Sequence, residues 1–298
     1  MSSAGTKRRW RESGLALAML GPSLVILGAF VLYPMGRAIW LGHQRCDATG
    51  GNCRSNGWDQ YLDVFRSREF QSALSTTFKF VVITVPIGVA LGIGLAVLAD
   101  KYLRGIGVFR AIFSSTVATS VAVASLMWFF LFQPSVGLLA DWIGGTAKNP
   151  GWLNDPGTAL WAVALTSIWA NLGFTFIVIT AALQSVPADL YESAYVDGAG
   201  GWTRFTNVTV PMLGPTLLFV SVVLTSRAFQ AYGEFDLLTG GGPQGKTTTV
   251  TYLIYGTTST IRNDDGLKAA VAVLLFVVLL VLSAVQFRSV EKRVHYAG

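Results

Sequence analysis

VPADLYESAYVDGAGGWTRFTNVTVPMLGP, from Val186 to Pro215, is a polar, glycine-rich stretch set between two long apolar runs. The run before it covers about Ala159 to Leu183, and the run after it Leu217 to Tyr232. The stretch reads as two short helices. Pro187, with Asp189 just behind it, starts the first. Gly198, Gly200 and Gly201 interrupt it. The second runs from Trp202 to about Val210, where Pro211 is expected to end it. The turn between them is small and flanked by acids. It has the form of a knob that fits a groove on another protein and is levered by it.

The apolar runs on either side are two of six. The others cover about Leu15 to Tyr33, Phe80 to Leu98, Val108 to Phe132 and Ala269 to Phe287. A helix needs roughly 20 residues to cross the hydrocarbon core, so all six are long enough. Pro22 and Pro86 fall inside two of them, which membrane helices tolerate when neighbours satisfy the freed carbonyls. The chain is 52% hydrophobic and 13% charged. A soluble domain carries about 25% charged residues, so there is too little polar surface to face water. The net charge is +6, but the basic residues sit at the ends of apolar runs, not among aromatics on one solvated face. Nucleic acid is therefore excluded as a partner. The first run has a basic start, but it is long and lacks a small-x-small cleavage site before Tyr33, so it reads as a retained anchor.

Orientation follows from Lys and Arg in the short segments. Lys7, Arg8, Arg9 and Arg11 precede the first run, Lys101 and Arg104 follow the second, and Arg288, Lys292 and Arg293 follow the sixth. These fall on one side if all six runs span, so both termini are expected in the cytoplasm, and Val186–Pro215 with them. The segment Leu41–Ser72 is then external. It holds both cysteines, Cys46 and Cys53, beside His43. An oxidising space favours a disulfide between them; the alternative is two free thiols. The ligands are too few for a metal site.

On this loop the chain resembles a known family. Glu192, Ser193 and Ala194, then Asp197, Gly198 and Ala199, then an apolar residue before Pro211, resemble the EAA loop of ABC importer permeases. Ser193 stands where the pattern has alanine and is also small. The resemblance implies an all-α, polytopic protein of six transmembrane helices with the type I ABC importer permease (MetI-like) fold. It implies residues 1–73 as tail, first span and external loop, 74–290 as the core permease domain with a coupling loop at 186–215, and 291–298 as a cytoplasmic tail. The loop would be a coupling helix seated in a cleft of an ATPase subunit, with Glu192 facing a basic residue there. The expected partners are a second, homologous permease in a heterodimer, two nucleotide-binding ATPase subunits, an external substrate-binding protein and membrane lipid. The expected location is a bacterial inner membrane. No cofactor is expected in this chain, since ATP and Mg would bind the ATPase subunits. No catalytic residue is expected either.

Gly240, Gly245, Lys246 and Thr247 satisfy the phosphate-loop spacing G-x-x-x-x-G-K-T. That chemistry needs a strand before it and a helix after it in a soluble βαβ unit, and the segment lies between two spans. A membrane ATPase is therefore set aside. A secondary transporter, commonly built of inverted repeats, would leave the Val186–Pro215 loop without a purpose. Phe235, Asp236, Thr239, Gly241, Gly242, Pro243, Thr248, Thr249 and Tyr255 instead resemble a segment of carbohydrate-type importer permeases. That resemblance implies an external loop near the binding-protein dock.

The start GPSLVILGAFVLYPMGRAIW, FLFQPSVGLL from Phe130 to Leu139, and the end VQFRSVEKRVHY resemble the A-type permeases of glycerol-3-phosphate importers. Actinobacterial relatives of these take up glycerophosphodiesters such as glycerophosphocholine. The implied cargo is glycerol 3-phosphate or such a diester; the alternative is a sugar or oligosaccharide. Arg227 is the clearest charge inside an apolar run, where charge is costly and faces a cavity or a partner. It has two readings: contact with an anionic cargo, or pairing with Glu234 or the partner permease. Gln230, Tyr232, Glu234 and Asp236 are candidates for the pathway or external gate. Trp128, Trp161, Trp169 and Trp202 read as belt anchors or packing residues.

Overall fold

A computed structural model describes residues 18–46, 53–100, 105–134, 151–261 and 263–291. Lys7, Arg8, Arg9, Arg11, Lys101, Arg104, Lys292 and Arg293 lie outside the described residues, as does the end of the Phe130–Leu139 segment. Four straight helices are long and apolar enough to span: α1 (Ala18–Leu41), α3 (Arg68–Ala99), α6 (Ala159–Gln184) and α12, which spans over Asp265–Arg288 and ends at Glu291. The short α2 (Asp59–Arg66) precedes α3. Two bent helix pairs pass the same test together, so the total reaches six when each pair counts as one span.

The first bent pair corrects the expectation of an unbroken span from Val108 to Phe132. Helix α4 (Ile106–Ser115) tightens into a 3-10 turn at Thr116–Ala118 and meets α5 (Val121–Phe132) at 107°. The cause is the polar interruption Ser114–Ser120. Ser115 and Thr116 donate their hydroxyls back to the carbonyls of Ile112 and Phe113, at 2.7 and 3.1 Å. Thr119 is extended, and the Ser120 hydroxyl accepts from Val123 N to cap α5. Local side-chain bonding of this kind competes with helix continuation.

Contact clustering divides the chain into two units. Met1–Val64 with Asn263–Leu274 form one, and Phe65–Arg262 with Leu275–Gly298 the other. In the first, α1 includes a wide π turn at Gly28–Leu32. After it comes a two-stranded ribbon, β1 (Gln44–Cys46) against β2 (Cys53–Ser55), a small exception to the all-α expectation. Its antiparallel register sets Cys46 opposite Cys53. The ribbon is tied to its surroundings by Gln60 Nε2 on the Gln44 carbonyl at 2.8 Å and by Tyr61 Oη on the Ile39 carbonyl at 2.8 Å.

In the second unit α3 packs lengthwise on α6. Gly88, Gly92 and Ala96 recur every fourth residue on the buried side of α3. Small residues at that spacing let membrane helices approach closely. A Cβ at Gly92 would collide with Thr175 Cγ2 of α6. Most of the apolar stretch of α6 is buried within the chain. The fifth span, α9 (Gly214–Phe229), starts and stops three residues earlier than expected, leaving Tyr232 beyond it. Gln286 of α12 donates to Thr225 of α9 at 3.0 Å, joining the fifth and sixth spans.

Candidate coupling loop and translocation site

The loop between α6 and α9 carries α7 (Ala188–Val196), then α8 (Gly201–Arg204). Pro187, in extended conformation, starts α7 as expected. The end of α7 explains the Asp197-Gly198 pair. Gly198 takes φ +75°, the left-handed conformation that favours glycine. Its N–H donates to the Tyr195 carbonyl at 3.0 Å, and Ala199 N–H to the Ala194 carbonyl at 2.9 Å. These two bonds together form a Schellman cap, which satisfies carbonyls left over at the helix end. Ala194 and Ala199 are thus small and half-buried within the cap, while Glu192, Ser193 and Asp197 are exposed on its outside. Ser193 donates to the Leu190 carbonyl at 3.2 Å.

Pro211 does not stop the second helix. From Arg204 the chain continues through a π turn, Phe205–Thr209, and a last helical turn, Val210–Met212. The wide turn just ahead absorbs the N–H that proline lacks. The two arms are joined by Tyr191 Oη and Thr209 Oγ1, 3.1 Å apart. Arg204 lies 5.7 Å over the Tyr195 ring. On the outside of this knob, Tyr195 (71%), Val196 (84%) and Trp202 (76%) stand exposed beside Glu192 and Asp197. Exposed aromatic and apolar side chains within an acidic rim have the make-up of a protein-docking surface.

Arg227, in the last turn of α9, has a partner that the sequence did not suggest. Its Nη1 donates to Asn171 Oδ1 of α6 at 2.9 Å, and its guanidinium carbon lies 4.5 Å over the Phe174 ring. The expected pairing with Glu234 does not form. Glu234 is buried on α10 (Gly233–Leu238), a short helix beyond the span that packs mainly on α5. Burial raises its carboxyl above the ordinary carboxylate range, against a smaller opposing effect of a backbone hydrogen bond. Arg227 stays exposed. Gln230 folds back on Ser226, at 3.1 Å to the carbonyl and 2.8 Å to the hydroxyl. Tyr232 Oη donates to the Tyr255 carbonyl at 3.4 Å. Asp236 is half-buried on α10. Arg227 and Gln230 are thus at the end of α9, whereas Glu234 and Asp236 sit on a separate short helix. Trp128 and Trp169 pack ring to ring, 6.1 Å apart, whereas Trp161 and Trp202 are exposed.

The loop over residues 240–249 is folded, not a slack linker. Gly241 and Gly245 have positive φ, and Gly242–Pro243 is a cis peptide. The threonines of the motif bond back onto these glycines. Thr247 Oγ1 donates to the Gly242 carbonyl at 2.5 Å and lies 2.7 Å from Thr239 Oγ1. Thr248 Oγ1 donates to the Gly241 carbonyl at 3.0 Å. Thr249 caps α11 (Val250–Tyr255), and Val250 N–H donates to Thr77 Oγ1 of α3 at 3.0 Å. Thr247 is 0% exposed and committed to these bonds, and α10 rather than a strand precedes the loop. The residues around Lys246 do not build a phosphate loop.

Comparison with known proteins agrees with this geometry. The family described as binding-protein-dependent transport system inner membrane component matches residues 85–296. The chain belongs to this family. It is similar to the sn-glycerol-3-phosphate transport system permease protein UgpA of Yersinia enterocolitica, at 33% identity over 95% of this chain and 96% of the relative. The UgpA protein of Salmonella typhimurium is 32% identical, over 96% and 97%. Among solved structures, a bacterial ABC transporter involved in import of the acidic polysaccharide alginate matches with a TM-score of 0.78 at 25% identity. It covers 96% of this chain and 99% of that one. The alginate transporter in complex with its pentasaccharide-bound periplasmic protein matches with a TM-score of 0.79 at 23% identity, over 96% of both chains. The chain is therefore a multi-pass inner-membrane permease of the ABC importer type, in a family whose ATP hydrolysis is carried out by separate subunits. The partners of Arg227, namely Asn171 and Phe174, were missed in the sequence. The only cue was that they fall about one helical turn apart in the preceding span.

Proposed function

We propose that this permease forms half of a pathway importing glycerol 3-phosphate or glycerophosphodiesters such as glycerophosphocholine, and that the Glu192–Pro211 loop receives the force for it. Both termini and this loop are then cytoplasmic, and the ribbon and Gly240–Gly245 are external. One observation carries the cargo reading: an exposed guanidinium, Arg227, held at the end of a span by Asn171 and Phe174. A positive charge there attracts phosphate. The names of the 33%-identical relatives point the same way. Coupling would be rigid-body: closure of two ATPase subunits moves the seated knob, and the knob moves the spans. The remaining partners are a second permease and an external binding protein. A second reading, import of an acidic oligosaccharide, is favoured by the fold match to the alginate importer, since Arg227 would serve a carboxylate as well.

Vesicles holding the whole complex decide between these cargoes. Uptake of glycerol 3-phosphate and glycerophosphocholine, but not of an acidic oligosaccharide or a neutral disaccharide, is expected. Arg227→Ala should cut uptake of the phosphate cargoes by about tenfold or more, the size of a lost charge-assisted hydrogen bond. Transport of the disaccharide alone overturns the phosphate reading.

The register of the ribbon also supports a Cys46–Cys53 disulfide, since directly opposed antiparallel positions bring Cα atoms within bridging distance. With an external ribbon, maleimide should label neither cysteine until a reductant is added. Labelling of the untreated protein would rule the bridge out.

A further inference from the structure

The start of α3 and the external loop enclose a cleft of about 480 Å³ that plays no part in the coupling loop or in the Arg227 site. Its size is that of small-molecule sites. One wall is the first turn and a half of α3, with Arg68, Glu69 and Ser72. The facing wall is the backbone of Gly240–Gly242 and Gly245, with Gln244, Thr248 and Thr260. The glycines bring backbone to the cleft surface, with the carbonyls of Gly240, Gly241 and Gly242 held by Thr258, Thr248 and Thr247.

The chemistry of the two walls differs. Arg68 is exposed and forms no ion pair among the described residues, so its fork of donors is free. The Glu69 carboxylate accepts from Thr260 Oγ1 at 3.2 Å, which ties one of its oxygens to the facing wall. Gln244, at φ 53°, stands on the rim in a backbone conformation uncommon for a residue with a side chain. The cleft thus offers one cation, one carboxylate and several hydroxyl and amide groups. A small ligand with a single anionic group and neighbouring hydroxyls uses all of them. The guanidinium takes the anion bidentately, and the carboxylate and the hydroxyl groups take the alcohols. Glu69 disfavours a ligand that is anionic throughout.

We propose that this cleft is an entry subsite for a polyol phosphate, filled before the cargo reaches Arg227. The proposal rests on the cargo and orientation given above.

The test uses the full complex of both permeases and the ATPase subunits in nanodiscs, without the binding protein. Probes are labelled glycerol 3-phosphate, inorganic phosphate and glycerol. Glycerol 3-phosphate should bind more tightly than either fragment. Arg68→Gln should weaken its binding by about tenfold or more. Ser72→Leu, which fills the cleft while keeping the charge, should weaken glycerol 3-phosphate and glycerol alike. Retained affinity in both variants overturns the subsite, and so does a wild-type complex that binds none of the probes. A loss confined to affinity for the binding protein also overturns it and makes the cleft a protein dock. Uptake by the wild type keeps the two claims apart. If glycerol 3-phosphate is imported normally by Arg68→Gln with unchanged binding, the subsite fails and the cargo reading stands. If the wild type imports none, the cargo reading itself fails.

Discussion

Gly198→Val is expected to leave the permease folded and to disconnect it from ATP. The residue sits at φ +75°, where a side chain costs about 1–2 kcal/mol and a β-branched one more. Relief of that strain undoes the two cap bonds from Gly198 and Ala199. Yet a Cβ at Gly198 meets nothing within 4 Å, so no packing inside the chain is disturbed. Two positions on, Gly200 has φ −67°, which alanine adopts without strain, and it too has open space. Gly200→Ala should therefore transport normally. Uptake by Gly198→Val should fall about tenfold or more, and the binding protein should no longer stimulate ATP hydrolysis. Glu192→Lys should do the same by repelling the basic partner residue. Normal uptake in both Gly198→Val and Glu192→Lys would sink the coupling assignment.

The second large effect concerns the broken third span. Gly173 of α6 lies against the bend: a Cβ there would collide with Thr116 Oγ1 and stand 2.7 Å from Val117 N and 3.0 Å from the Phe113 carbonyl oxygen. Two of these are backbone atoms, which cannot rotate aside. Gly173→Ala should destabilise by about 1–3 kcal/mol, as overpacking does, and Gly173→Val by more. Gly94→Ala on α3 is the control, since nothing lies within 4 Å of its Cβ position. It should be neutral or slightly stabilising, because alanine is the better helix former. Thermal unfolding of the purified complex reads both. Equal midpoints for Gly173→Ala and Gly94→Ala would show that the bend is not seated on α6.

The spans were legible in sequence because hydropathy measures transfer out of water, which is what a spanning helix undergoes. It does not report direction. The run Val108–Phe132 is apolar enough to pass as one span, and its 107° bend depends on hydroxyl bonds from Ser115, Thr116 and Ser120 that hydropathy averages away. The coupling knob was legible for the opposite reason. Its shape is set locally by glycine backbone preference, and the Asp197-Gly198 pair encodes it in two adjacent residues. The role of Pro211 was misread because a π turn, which has no strong sequence signal, precedes it. Arg227 could be picked out as a costly charge, but its holder Asn171 is 56 residues away. Nothing local links the two.

The continuation of α8 through its π turn to Met212 has a mechanical consequence. The twelve residues Gly201–Met212 make a stiff arm of about 18 Å. It meets α9 at 67°, with Leu213 at the corner, 0% exposed and packed into the core. An arm, a corner and a second arm form a bell crank with its pivot in the membrane-buried core. A displacement of about 5 Å at the knob, one helical turn, would tilt such an arm by roughly 15°. Carried through Leu213, that turns the opposite end of α9, where Arg227 stands. The grip on the cargo and the push from ATP would then be two ends of one rigid lever. Spin labels at exposed positions of α8 and near Arg227 should move together in the ATP cycle; independent movement would show that Leu213 is a slack joint.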